Sequence, residues 1–365
     1  MMEALSRMRD RFLGRGDAAI TIPIFDGALK PNRVLEDAEQ IIHVPSAEDL
    51  ATDGTKVFIA DGPRVLRLDD HSLEEVTKFS HDIAALACMP GGGFVAALKS
   101  GELRISGGFA DGVKWTSVEG RPLRSVNSIA LRRNGRLLVT DGSMQFDQDH
   151  WCHDLMSRGQ SGRLIELNPI DLSSKVLAKN LSYAFGACEF NQDVWVCESW
   201  KHRILQCQAG KDSGVVLGGL PAYPSRISAS SDGGYWLTAF IGRTQLVEFV
   251  LREPHYRKRM MAEIDPEYWI APALNSGNSF LEPLQGAGMK MRGVLKPWAP
   301  PRSYGLVIKL SPSGTVQYSF HSRLDGANHG IVAAVECKGD LIVLSKGSGR
   351  LLRLPVAESE RLVMQ

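Results

Sequence analysis

Along most of the chain, apolar and polar residues alternate in short runs, and each run ends at a tight polar turn. A period of two predicts β-strands. Asp-Gly, Asn-Gly and Gly-Gly steps between such runs predict hairpins, because these residues accept a positive φ. The pattern recurs six times. The units read SAEDLATDGTKVFIADGPRVLRLD from Ser46, SHDIAALACMPGGGFVAALKSGELRISG from Ser80 and SVNSIALRRNGRLLVTDG from Ser125. They continue with YAFGACEFNQDVWVCESWKHRILQCQ from Tyr183, YPSRISASSDGGYWLTAFIGRTQLVEFV from Tyr223 and GIVAAVECKGDLIVLSKGSGRLLRLP from Gly330. Repeated antiparallel units of this size bury their edges by closing radially, which predicts an all-β, six-bladed β-propeller.

Two stretches break the rhythm. Residues 143–161 form a long loop in the third unit. Residues 251–303 form an insertion in the fifth, where HYRKRMMAEI has helical character. Neither holds enough apolar sequence for a separate core, so residues 19–365 are expected to be one propeller with a helical insertion in blade five. Residues 1–18 place Leu5, Met8, Phe12 and Leu13 at helical spacing and predict an N-terminal helix or tail.

Composition adds exclusions. With 365 residues, 44% hydrophobic, 23% charged and a formal net charge of +1, the chain has no electrostatic pull toward nucleic acid. No apolar run reaches the length of a membrane span. The six cysteines, Cys88, Cys152, Cys188, Cys197, Cys207 and Cys337, form no CxxC pair and mostly lie in strand-like runs, as buried free thiols do. With no apolar leader in MMEALSRMRDRFLGRG, the expected setting is cytoplasmic.

Several motifs resemble the strictosidine synthase-like family, a relative of the paraoxonase and senescence-marker/gluconolactonase propellers. IPIFDGALKPNRVLEDAEQI is similar to its lead-in strand, SVNSIAL to its V-N-D inner strand, LPAYPSRISASSDGGYWL to its L-P-G-Y-P-D-N-I…G-G-[FY]-W pattern, and HSRLDG…GDLIVLSKGSGRLLRL to its closing blade. The resemblance covers roughly residues 20–355. It implies a propeller with a small-molecule site on its axis. Metal-dependent relatives hold a divalent ion there with an acid from blade one, asparagines from blades three and four, and an aspartate from blade five. Glu48 and Asn127 match the first two positions, but Phe185 and Ser225-Arg226 replace the others, so no metal or other cofactor is expected. The condensing members use a blade-six glutamate, whose place is taken by Val332, four residues before Glu336.

In a propeller, the start of each inner strand faces the axis, and these starts are read as Glu48, His81, Asn127, Phe185, Ser225-Arg226 and the His329-Gly330 region. Arg226 is the sharpest feature. An always-charged guanidinium at a lost ligand position either holds a carboxylate or plugs the channel as an ion pair, here expected with Glu48. His81 resembles the paraoxonase histidine of the same blade and titrates near neutrality, as a general base on water does. The expected catalytic set is thus His81, Arg226 and Asn127, with Glu48, Phe185, Ser225, His329 and Trp151 around the ligand. His150 and His153 lie with Trp151 on the blade-three loop and are too few for zinc. Three functions compete: a metal-independent hydrolase of a lactone or ester, a non-catalytic propeller recognising a small anion or a protein, and a condensing lyase.

Overall fold

The computed structural model describes residues 22–207, 214–276, 282, 290–291, 294–295, 302–324 and 326–364. The 1–18 segment and much of the 277–301 stretch lie outside the described residues. Six four-stranded antiparallel sheets stand around one axis. Their inner strands are Ala47–Thr52, Ile83–Cys88, Val126–Leu131, Ala184–Phe190, Ala222–Ala229 and Ile331–Cys337. Each packs on the next, and the sixth packs on the first, so the ring is closed.

Blade six is completed by the first strand among the described residues. Glu39–His43 pairs with Arg350–Pro355 and forms that sheet's outer edge. The second strands are sandwiched between neighbouring sheets and are buried on both faces: Val57–Asp61, Phe94–Leu98 and Leu137–Asp141 are buried at every position. This is why those stretches read as continuous apolar runs. The outer strand Ser72–Lys78 of blade one is mostly exposed and correspondingly polar. The turns form where expected, with φ of +89° at Gly54, +79° at Gly135 and +84° at Gly233.

Blade five departs from the sequence reading. The stretch QLVEFVLR, which begins inside the fifth repeat, is helix α2 (Gln245–Arg252), with the preceding Thr244 accepting the Val247 N–H as an N-cap. Helix α3 (Pro254–Glu263) follows, with proline at its start. The blade resumes with Leu306–Leu310 and Val316–His321. The insertion therefore leaves the sheet at Gly242. The blade-three loop also carries a helix, α1 (Trp151–Ser157), and α4 (Val356–Met364) ends the described chain. One apolar cluster joins the insertion to the ring: Leu155 and Met156 of α1, Val250 of α2 and Met260 of α3 pack with Tyr223 and Phe240 of blade five.

Candidate functional site

At the start of every inner strand the register against the second strand slips. A bulge re-aims the extra residue. Around the ring the side chains released in this way are Glu48, Ala84, Asn127, Phe185, Arg226 and Val332, and all six line one axial pocket. Gln148, Trp151, Tyr183, Phe240, Leu274 and Lys346 complete its wall.

Of the expected residues, Glu48, Asn127, Phe185, Arg226 and Trp151 are thus brought together. His81, Ser225 and His329 are not. His81 is exposed, its Nδ1 3.0 Å from Ser80 Oγ, and it precedes the bulge by three residues, where Ala84 takes the axial place. His329 stands likewise three residues before Val332. It is buried between Ser303 Oγ (2.7 Å) and the Arg323 carbonyl (2.7 Å). Ser225 is buried against Thr238, 2.7 Å between hydroxyls. Trp151 lines the pocket from α1 rather than from a loop. His150 and His153 stand edge to face at 5.1 Å, with His150 Nδ1 on Asp147 (2.7 Å) and His153 against Trp269.

The ion pairs also differ from expectation. Arg226 meets Asp49, not Glu48: Nε and Oδ1 are 2.9 Å apart, an electrostatic contact without good hydrogen-bond alignment. Its two Nη atoms donate to the carbonyls of Val332 (3.2 Å) and Ala84 (3.0 Å), and its guanidinium lies 5.2 Å from the Phe185 ring centre. One side chain from blade five therefore reaches blades one, two, four and six. It forms the floor of the pocket, and a second chamber of about 500 Å3 opens on its far side between Leu50, Leu86, Ile129 and Ile227. Asp49 is 2% exposed and accepts the Leu86 N–H (2.9 Å) and Leu50 N–H (2.8 Å). Burial pushes its carboxyl up to about 6, against the pull of Arg226 and the two N–H groups.

Glu48 sits between two ammonium groups, Lys99 (3.0 Å) and Lys346. Lys99 also reaches Asp149 at 2.8 Å. Burial disfavours the charge on Lys99, but Glu48 and Asp149 together hold its pKa above the usual value. Both lysines directly follow the second strand of their blades, Phe94–Leu98 in blade two and Asp340–Ser345 in blade six. These blades flank blade one in the ring, and the chain separates them almost maximally. The remaining wall is aromatic. Tyr183 stacks on Trp200 at 4.4 Å, and Phe240 lies edge-on to Trp151 at 5.5 Å. Asp154 of α1 anchors Trp200 by accepting its indole N–H at 2.7 Å. The open space is about 40 Å3, room for a few waters, so a metabolite enters only if side chains of the wall move.

The axial donors do not fit the hard divalent cation of the metal-dependent relatives, which takes six to eight oxygens. Asn127 spends its amide on the Ala184 carbonyl (2.9 Å) and accepts the Thr140 hydroxyl (2.7 Å), and Glu48 is committed to its lysines. Among the described residues no three potential ligands cluster for a metal, and no helix is long and apolar enough to cross a membrane.

Comparison with known proteins agrees with this architecture. The family model described as strictosidine synthase matches residues 127–210. Adipocyte plasma membrane-associated protein of Bos taurus is 26% identical over 72% of this chain and 73% of its own length. A strictosidine synthase-like protein of Arabidopsis thaliana is 28% identical over 45% of each chain. A Xanthomonas campestris structure described as a gluconolactonase superposes with a TM-score of 0.54 over 92% of this chain and 95% of its own, at 14% identity, a likeness of fold alone. The axial bulges, the closing strand and these relatives together make this chain a β-propeller similar to the strictosidine synthase-like proteins, as the blade motifs suggested.

Proposed function

We propose that the axial pocket hydrolyses a small lactone or ester without a metal, with Glu48 as general base. The observation that carries this reading is Glu48 itself. Among the described residues it is the one carboxylate lining the pocket, held between two ammonium groups against an aromatic wall. Glu48 takes a proton from a water as that water attacks the acyl carbon. Negative charge grows on the carbonyl oxygen, where the ammonium group of Lys346 on the pocket wall stabilises it. The acyl C–O bond then breaks, and the departing alkoxide recovers the proton from Glu48. Trp151, Phe185 and Phe240 favour an apolar or aromatic body. The gluconolactonase fold of a structural neighbour makes lactones the first substrates to try.

A panel of lactones and aryl esters, assayed in the presence of a chelator, tests this. Turnover should persist without metal, vanish in Glu48→Gln and fall about tenfold or more in Lys346→Met. Turnover that needs added calcium, or that survives Glu48→Gln, overturns it. One observation favours a second reading, recognition of a carboxylate without catalysis: Asn127, Arg226 and Glu48 are each already engaged by protein groups. In that case aryl carboxylates raise the melting temperature, Lys346→Met removes the effect, and no substrate turns over.

A further inference from the structure

The chamber beneath the Arg226 floor is far roomier than the axial pocket, about 500 Å3 against about 40 Å3. That volume lies in the range of small-molecule sites. Asp49 lines the chamber and Glu48 the pocket, while Arg226 lines both. The chamber walls are strand edges. Each inner strand is the edge of its sheet, with the second strand as its one neighbour, so the N–H and C=O groups on its free side face the axis. The protein uses some of these groups: the Leu86 N–H goes to Asp49 (2.9 Å), and the Ala334 carbonyl accepts from Ser228 Oγ (2.7 Å). A strand residue turns both of its backbone groups to the same side. The Leu86 carbonyl and the Ala334 N–H therefore face the chamber as well. Between the edges the side chains are short or apolar, Ala87, Ala130 and Ile227 among them. A purely apolar guest would strip water from the edge groups and leave them unpaired.

Polar side chains run from floor to rim. Ser128 lines the chamber and is 6% exposed, and its hydroxyl makes no hydrogen bond among the described residues. On the floor a carboxylate stands beside a guanidinium. Asp49 keeps lone pairs beyond the two N–H groups it accepts, and Arg226 keeps Nη hydrogens beyond the two it donates. An acceptor beside a donor matches neighbouring hydroxyls, each of which gives one hydrogen bond and takes another. Charge points the same way. Among the described residues the charged side chains lining the chamber are Asp49 and Arg226 on the floor, and Glu189 and the exposed Arg133 toward the rim. The two acids offset the two bases, so neither an anion nor a cation is favoured.

We propose that this chamber binds a neutral polyhydroxylated molecule about the size of a monosaccharide or cyclitol. The site is separate from the axial pocket and does not depend on the hydrolysis proposed there. The probes are myo-inositol and glucose, each titrated into the full-length protein and followed by saturation-transfer NMR. Cyclohexanol serves as the apolar control and cyclohexanecarboxylate as the anionic one. A saturable signal is expected from at least one polyol and from neither control. Ala229 is exposed where it lines the chamber, so Ala229→Trp should melt normally while narrowing the mouth, and should weaken the polyol about tenfold or more. Glu48→Gln alters the other side of the floor and should bind the polyol as the parent does. Four results overturn the proposal: no saturable signal from either polyol, tighter binding of a control, equal binding by the Ala229→Trp protein, or binding lost in Glu48→Gln.

Discussion

Asp49 is buried on the axis with both carboxylate oxygens accepting backbone N–H groups, and Arg226 faces it with each Nη donating to a backbone carbonyl. Removing one partner strands the other. Arg226→Met should cost about 3–5 kcal/mol in urea unfolding at pH 7, and adding Asp49→Asn should recover part of it, since the stranded carboxylate is the main penalty. If Arg226→Met unfolds like the parent, the guanidinium is not holding the floor together. His321 supplies a pH prediction. Its Nε2–H donates to Ser319 Oγ, whose own proton goes to the Ala28 carbonyl, and Nδ1 accepts from Tyr304 OH. Burial lowers its pKa from 6.5 to about 4. Between those values the unfolded chain binds a proton that the folded ring refuses. The contribution of His321 is therefore complete above pH 6.5 and is lost as pH falls toward 4. Asp49 works the other way: its raised pKa makes acidification from about 6 to 4 stabilising. Stability measured across pH 4–7 should thus decline less steeply with acid in His321→Gln and more steeply in Asp49→Asn. A parallel shift of all three curves would refute both assignments. Arg226 as an axial residue was legible from its place in YPSRIS. Its partner was not, because Glu48 and Asp49 are adjacent, and the bulge that sends the first to the pocket and the second to the floor leaves no mark in composition.

Single strands and helices show the same division. Hairpins with Asp-Gly, Asn-Gly and Gly-Gly turns were readable because those turns demand a positive φ. The axial positions in blades two and six were misplaced by three residues, at His81 and His329, because the slip occurs inside an apolar run where nothing polar marks it. The lysines on Glu48 were missed for a different reason: neighbours around a ring are remote along the chain. Helix α2 was not legible inside the fifth repeat because TQLVEFV reads equally as alternation, and the Thr244 cap decides the matter. Thr244→Ala should cost about 1 kcal/mol and loosen the insertion first, visible as faster amide exchange in Gln245–Arg252 than in the blades. Uniform exchange throughout would show that α2 does not open separately. Gly186 marks a close approach of blades four and five. Its φ is +93°, and a Cβ there would fall 2.4 Å from the Ser225 carbonyl oxygen. Gly186→Ala should accordingly destabilise the protein far more than the ~1 kcal/mol of an ordinary glycine replacement.

At the scale of the whole molecule, six blades and their order were legible because each repeat carries its own alternation, and a repeat that cannot bury its faces alone must stack. The closure was not legible, because nothing in the lead-in segment points to a partner some three hundred residues away. It joins Glu39–His43 to Arg350–Pro355 through four registered residue pairs. Removing residues 1–43 should expose the edge of blade six and favour association of chains, read as a concentration-dependent rise in mass by light scattering. A monomeric, normally melting truncation would show that the closing strand is dispensable. The same joint has a consequence in time. During synthesis the strand ending at His43 leaves the ribosome before the five intact blades, and its partner, Arg350–Pro355, leaves after them. Five blades can stack as they emerge, but this strand must wait for its partner, and until then any exposed neighbour edge, including that of another nascent copy, competes for it.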